Sequence, residues 1–131
     1  PPEVTEMAEM IESLNLGDLL KYEAPHFYSR DRVTVGAGQS LPLGAVVGLV
    51  TATGHYARID PSATDGRQVA AGVLLQACDA TLIDRDDALI VARHAIVAQH
   101  ALQWPEGITA AETLTALAQL KALGVLVRHG A

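Results

Sequence analysis

The stretch that most constrains the fold of this chain runs from Ala45 to Leu75, AVVGLVTATGHYARIDPSATDGRQVAAGVLL. It contains two apolar runs, Val46 to Val50 and Val69 to Leu75. Between them lie strong turn formers, because glycine tolerates positive φ and proline presets φ: Gly54, Asp60, Pro61 and the Asp65-Gly66 pair. The stretch predicts a strand, a hairpin, a second strand, a loop and a third strand. Nothing in it is arranged as a catalytic site.

The length of the chain fits one domain. Its 131 residues are enough for a single core and too few for two. We expect a folded domain over residues 19–131, preceded by an N-terminal arm over residues 1–18. Half of the residues are hydrophobic, but only one Trp, three Tyr and one Phe are aromatic. This composition predicts a compact core of small side chains.

The charge balance excludes two classes of partner. Nine Lys and Arg against 15 Asp and Glu give a net charge of −6, and no basic cluster is present. Nucleic acid and anionic membranes bind clustered cations, so we expect neither as a partner. No apolar run approaches the roughly 20 residues of a membrane helix, and the start of the chain lacks signal-peptide features. We expect a soluble protein that is not exported by that route.

The N-terminal segment carries an apolar stripe at helical spacing, made by Met7, Met10, Ile11 and Leu14. A helix this short is marginal alone in water, so the stripe needs a surface to pack on. That surface is either the chain's own domain, which the pattern by itself favours, or a partner. Three of the five aromatic residues then fall within Tyr22 to Tyr28. They either cap the edge of the core or form an exposed contact patch.

The remaining elements are short strands and one helix. Arg32 to Val35, Ala88 to Arg93 and Ala95 to Ala98 read as strands. Trp104 and Pro105 interrupt the pattern before a helix that begins after Thr109, whose hydroxyl and Glu112 form a T-x-x-E capping box. Its predicted apolar face is Leu114, Leu117, Ala118 and residues 120–123. Gly124 ends it, and Val125 to Val127 form a last strand. The predicted fold class is mainly β (α+β): short strands and hairpins, one C-terminal helix and an N-terminal arm.

The motifs of common catalytic and metal sites are absent. Cys78 is the only cysteine, which excludes an internal disulfide and a four-thiolate zinc site. The acidic run from Asp84 to Asp87 lacks the glycine and spacing of a calcium loop, and Gly36 to Gly38 opens no dinucleotide-binding helix. The five histidines match no H-E-x-x-H pattern: His26, His55, His94, His100 and His129. We expect no cofactor, no metal and no enzymatic activity.

Several short motifs occur in a defined order along the chain, and their order and spacing carry more information than any one of them. They are Tyr28-Ser29-Arg30-Asp31, Val33-Thr34-Val35, Gly38-Gln39, Val47-Gly48, Thr51-Ala52-Thr53-Gly54, Asp60-Pro61-Ser62-Ala63-Thr64-Asp65-Gly66, Ala71-Gly72-Val73-Leu74 and Trp104-Pro105-Glu106-Gly107-Ile108-Thr109-Ala110-Ala111. With these motifs, residues 16–128 resemble the lambda-type head decoration proteins of tailed bacteriophages, a capsid-stabilising family.

The resemblance implies a small β-rich subunit that forms a homotrimer. Such trimers would sit on local three-fold positions outside the expanded shell and hold subunits of the major capsid protein against the pressure of packaged DNA. The resemblance also implies that the segment before the domain reaches onto the shell, which favours a contact role for the stripe. The expected location is the outer surface of the virion, after assembly in the host cytoplasm. The expected contact residues are Met7, Met10, Ile11, Leu14, Leu19, Leu20 and Tyr22.

Two other classes of protein stay open at this point. A small-ligand or carrier-type β-barrel could share the hairpin pattern, but a carrier needs a modifiable lysine at a hairpin tip. The chain has only Lys21 and Lys121, and neither lies in a predicted turn between strands. The second class is a metalloenzyme whose site is assembled from scattered histidines.

Overall fold

The computed structural model of the protein describes residues 14–129. The predicted helix at Met7 to Leu14 falls almost entirely outside them. In the described part, two α-helices and ten strands follow in this order: α1 (Leu16–Leu19), β1 (Leu20–Glu23), β2 (Arg30–Val35), β3 (Gln39–Leu41), β4 (Val46–Val50), β5 (His55–Arg58), β6 (Gly72–Leu74), β7 (Cys78–Ala80), β8 (Arg85–Val91), β9 (Ala95–Ala98), α2 (Ala110–Leu123) and β10 (Val125–Arg128). The mainly β fold class with one longer helix near the C-terminus is confirmed.

Five strands close into a small barrel in the order β2-β5-β4-β6-β8. All of its neighbours run antiparallel except β2 and β5, which are parallel and meet at Val35 and Tyr56. A separate sheet has the order β1-β9-β10, with β1 antiparallel and β10 parallel to β9. The pair β3-β7 forms the remaining ladder. The barrel and the β1-β9-β10 sheet together provide the framework for the surfaces described below.

Three barrel strands are buried on both of their faces. Val47, Leu74 and Ile90 belong to one hydrophobic cluster, together with residues of β2, β3 and β7. Their neighbours along the chain point to the opposite face, as the two-residue period of a strand requires. These neighbours, Val46, Val73 and Val91, join a second cluster with β9, α2 and β10. The two clusters therefore share β4, β6 and β8 as a common wall.

Two predicted elements differ from the observed ones. The run from Val69 to Leu75 contributes only Gly72–Leu74 to the barrel, because Val69 lies in a turn closed by its N–H on the Gly66 carbonyl and is 47% exposed. The strand predicted from Ala88 begins earlier, at Arg85, and pairs with β2. Most of the acidic run from Asp84 to Asp87 therefore lies in a strand.

The long helix α2 has the predicted ends but a different buried face. Thr109 and Glu112 form the capping box, and Gly124 closes the helix with φ of 88°. The fully buried residues of α2 are Ala116 and Leu120, whereas Leu114 is 68% exposed. Positions 114 and 116 differ by about 200° around the helix axis, so they cannot face the same core. The prediction that Leu114 belongs to the apolar face was wrong.

Replacing Gly124 tests how the helix end is held against the barrel. A Cβ there would lie 3.0 Å from His94 Cδ2 and 3.1 Å from the His94 backbone nitrogen, in addition to the strain of a positive φ. We expect Gly124→Val to lower the free energy of unfolding by about 2–4 kcal/mol, measured by urea denaturation. Gly54→Val is the matched control, because its φ is 75° but no atom lies within 4 Å of the added Cβ. Equal losses in the two variants would contradict the packing assigned to Gly124.

Candidate functional site

The connection between β1 and β2 exposes an unusual share of the aromatic residues. We call residues 22–28 the aromatic segment. Its three aromatic side chains are largely exposed: Tyr22 at 54%, Phe27 at 67% and Tyr28 at 55%. Large apolar side chains held in water lose the stabilisation that burial would bring, so a group of them indicates a surface that another molecule covers.

One buried hydroxyl group, that of Ser29, holds the aromatic segment against the rest of the domain. Ser29 is the only fully buried polar residue among residues 14–129. Its hydroxyl donates to the His94 carbonyl at 2.8 Å and accepts from the Ala24 N–H at 2.9 Å. Both hydrogen bonds end at backbone groups, so Ser29 ties the segment to the chain between β8 and β9. This role cannot be read from local sequence patterns, because His94 is 65 positions away from Ser29.

The backbone around this anchor is strained. Three non-glycine residues among those described have positive φ, and all three lie here: His26 at 61°, Phe27 at 58° and His94 at 47°. Such conformations cost about 1–3 kcal/mol each and persist only where the surrounding structure fixes them. Strain concentrated under exposed side chains is typical of a surface selected for binding.

Two arginines brace the exposed rings. Arg30 makes two hydrogen bonds of 2.8 Å to the Glu23 carboxylate, and its guanidinium lies 4.8 Å from the centre of the Phe27 ring. Arg93 bonds to Asp31 at 2.6 Å and to the Tyr28 carbonyl at 2.7 Å, and stands 5.5 Å from the Tyr28 ring. The side-chain hydrogen bonds to Glu23 and Asp31 raise the pKa of Arg30 and Arg93 respectively. The rings are thus presented in a fixed arrangement, which lowers the entropy lost on binding.

Strand β1 adds an open sheet edge to this region. It pairs with β9 on one side, and within residues 14–129 no strand pairs with its other side. Unpaired N–H and C=O groups along such an edge can accept a strand from another chain. Tyr22 belongs both to this edge and to the aromatic segment. A partner could therefore pair with its backbone and contact its ring at the same place.

The structure separates the predicted contact residues into different environments. Tyr22 is exposed and Leu20 is half-buried in β1 opposite Val97. Leu19 is completely buried among the domain's own apolar residues, so it presents no surface to a partner and its contact role is corrected to a core role. Leu14 is half-buried against the same cluster. The other three predicted residues, Met7, Met10 and Ile11, lie outside the described residues.

Phe27 and Tyr28 are exposed residues that the predicted contact set leaves out. A signal for them exists in the sequence: the crowding of aromatic residues after Pro25, which discourages a regular element. The pattern does not show whether these rings point into the core or away from it. The structure resolves this point, because it places both rings at the surface, beside Arg30 and Arg93.

The predicted framework residues support turns around the barrel. Asp60 accepts hydrogen bonds from the Ser62 N–H and hydroxyl beside Pro61, and the Ser62 hydroxyl lowers the pKa of Asp60. Gly66 has φ of 113° and packs directly against the Leu49 carbonyl. Trp104, which precedes Pro105, is half-buried against the cluster that contains α2. None of these residues lies in the aromatic segment.

Several features of the described residues bear on the two alternative classes of protein. Within residues 14–129, no three His, Cys, Asp or Glu side chains are grouped as a metal site would need. Burial raises the pKa of the Cys78 thiol, which keeps it protonated and poorly nucleophilic at neutral pH. Lys21 lies in β1 and Lys121 in α2, so neither stands at a hairpin tip as a carrier lysine would. No helix among the described residues has both the length and the apolar character to cross a membrane.

Comparison with known proteins identifies the family. Residues 9–125 match the family model described as bacteriophage lambda head decoration protein D. The chain therefore belongs to this family of phage head decoration proteins. Members of the family have a structural role in the phage capsid and are found in the virion. No individual curated protein gives a significant match to the chain.

Removing the buried hydroxyl tests whether Ser29 holds the aromatic segment. Ser29→Ala leaves the Ala24 N–H and the His94 carbonyl without this partner, and we expect a loss of about 1–3 kcal/mol in the free energy of unfolding. Ser40→Ala, at an exposed serine of β3, is the control and should change it by less than about 0.5 kcal/mol. Urea denaturation of both variants checks this, and an unchanged midpoint for Ser29→Ala would show that the hydroxyl is dispensable.

Proposed function

We propose that the protein binds as a homotrimer to the outside of the expanded phage capsid, at local three-fold positions, and cements the shell against the pressure of packaged DNA. Its partner in this role is the major capsid protein. The observation that carries the proposal is the aromatic segment of a chain of the head decoration family: three exposed rings, of which Phe27 and Tyr28 are braced by arginines on a strained backbone.

The proposed contact with the shell has two parts. The first is the N-terminal arm, residues 1–18, whose apolar stripe carries Met7, Met10 and Ile11. The second is the aromatic segment with the open edge of β1. The two parts are neighbours, because the arm enters the domain through α1, which leads directly into β1. One continuous surface would then run from the stripe to Tyr28.

In a trimer, weak contacts by each copy are sufficient for firm attachment to the shell. Once one copy is bound, the other two are held near their own sites, so their binding becomes intramolecular and the apparent affinity rises without any new contact. Cementing follows from the same geometry, since a rigid trimer that grips three neighbouring shell subunits resists their separation. This function requires shape and copy number instead of catalytic groups, so we propose that the protein is not an enzyme.

The proposal predicts which substitutions abolish decoration. We expect Tyr22→Ser combined with Phe27→Ser to weaken binding to expanded shells at least tenfold in a co-sedimentation assay, because interface aromatics contribute disproportionately to affinity. Leu114→Ser is the control: Leu114 is at least as exposed as the two aromatic residues, at 68%, but lies on α2. We expect it to bind like the unmodified protein.

Deletion of residues 1–13 tests the arm separately. The deletion stops there because Leu14 and Leu16 pack against the domain's own core, so a longer one would also disturb folding. We expect a folded trimer that no longer saturates expanded shells. If the shortened protein still saturates them, the arm has no part in attachment. If the unmodified protein ignores expanded shells, the proposed function is wrong.

A further inference from the structure

Two surfaces of the domain contain no residue of the aromatic segment. The first, which we call the apolar tip, consists of Leu82 and Ile83 in the turn between β7 and β8. Leu82 is 89% exposed and Ile83 is 67% exposed. Leu82 is the most exposed large hydrophobic residue among residues 14–129.

The apolar tip is an ordered structure. Both the N–H and the hydroxyl of Thr81 donate to the Asp79 carboxylate, and Arg85 donates to the Asp79 carbonyl at 3.3 Å. On the other side of the tip, the Asp84 carboxylate accepts from the Ala37 N–H at 2.7 Å. The tip is therefore held out from the barrel at both ends, and binding it costs little ordering entropy.

The surroundings of the apolar tip are acidic. Residues 79–87 contain four aspartates and one arginine. Arg85 is already paired with Asp87 at 2.9 Å, and the Asp86 side chain, which is 85% exposed, has only a 4.0 Å contact between its carboxylate and Arg32. A partner for the tip should combine an apolar depression with positive charge.

The second surface is a groove between α2 and β10 with those properties. We call it the basic groove; its volume is about 490 Å³. Its apolar lining is Leu117, Ala118, Leu126 and Val127, and its polar lining is Gln99 with the two cations Lys121 and Arg128. Neither cation forms an ion pair with another residue in the described part of the chain. No acidic residue lines the groove.

We propose that the apolar tip of one copy inserts into the basic groove of the next copy. This inference rests on the proposed trimer and names its interface. A ring of three identical subunits needs two different surfaces that fit each other, because each contact joins the front of one copy to the back of its neighbour. The tip and the groove are complementary in charge and in apolar character. In a closed ring every copy uses both surfaces once, so no apolar tip stays exposed.

Disulfide trapping tests the pairing directly. The double variant Ile83→Cys with Ala118→Cys places one thiol on the tip and one in the groove, while the native Cys78 is buried. Under mild oxidation of the full-length protein, we expect covalent trimers on a non-reducing gel. Each single variant alone should give no covalent dimer. Ile83→Cys with Val69→Cys is the control pair, because Val69 is 47% exposed but does not line the groove.

Charge exchange gives an independent readout of the same contact. We expect Lys121→Glu with Arg128→Glu to raise the trimer dissociation constant at least tenfold in sedimentation velocity. Adding Asp86→Lys to that variant should recover a measurable part of the loss. The pairing would be wrong if Asp86→Lys recovered none of the lost trimer affinity. It would also be wrong if no covalent trimers formed although the unmodified protein sediments as a trimer. The occupant of the basic groove would then be residues 1–13 or the capsid protein.

The outcomes separate this inference from the proposed function. Binding of the unmodified protein to expanded shells reports on the proposed function alone. A trimer that binds shells but does not cross-link contradicts only the pairing of tip and groove. Cross-linked trimers that ignore shells support the pairing and contradict the proposed function. A protein that sediments as a monomer at all concentrations contradicts both the proposed trimer and its interface.

Discussion

The fold depends on three strands that are buried on both faces. Val46 and Val47, Val73 and Leu74, and Ile90 and Val91 are all completely buried, so β4, β6 and β8 separate two hydrophobic clusters that share one wall. Two glycines of this wall are tightly packed. An added Cβ at Gly48 would lie 2.5 Å from the Arg67 backbone, and one at Gly72 would lie 2.8 Å from Ile90 Cδ1. Glycine is therefore required at these two positions, and the clusters on the two sides of the wall consist mainly of Val, Leu, Ile and Ala side chains.

A rigid scaffold leaves its aromatic residues free for the surface. Three of the five aromatic side chains lie in the aromatic segment. There Ser29 holds the backbone, and Arg30 and Arg93 contact the rings of Phe27 and Tyr28. The strain at His26, Phe27 and His94 is tolerated because the barrel and the β1-β9-β10 sheet fix the ends of these loops. The same scaffold thus stabilises the core and holds the contact surface in a fixed conformation. Both properties suit a structural protein of the capsid.

Features set by neighbouring residues were predictable from the sequence, and features set by distant contacts were not. The strand Val46–Val50, the capping box at Thr109 and the closing Gly124 depend on a few consecutive residues, and the structure contains them. The barrel closes through one residue pair between β2 and β5, which no local pattern encodes. The exposure of Leu114, the burial of Leu19 and the hydrogen bonds of Ser29 likewise depend on which elements pack together. The resemblance to head decoration proteins supplied the family, but the exposed tip at Leu82 and the braced rings required the structure.

A cryo-electron microscopy reconstruction of expanded shells decorated with the full-length protein tests the proposed attachment. If the proposed function is right, each occupied local three-fold position on the outer surface carries three copies, with Tyr22, Phe27 and Tyr28 against the major capsid protein. Between copies, Leu82 should enter the groove beside Leu117 of the neighbour. A reconstruction in which the aromatic segment faces solvent while the opposite side of the domain rests on the shell would show that the aromatic segment is not the contact with the capsid.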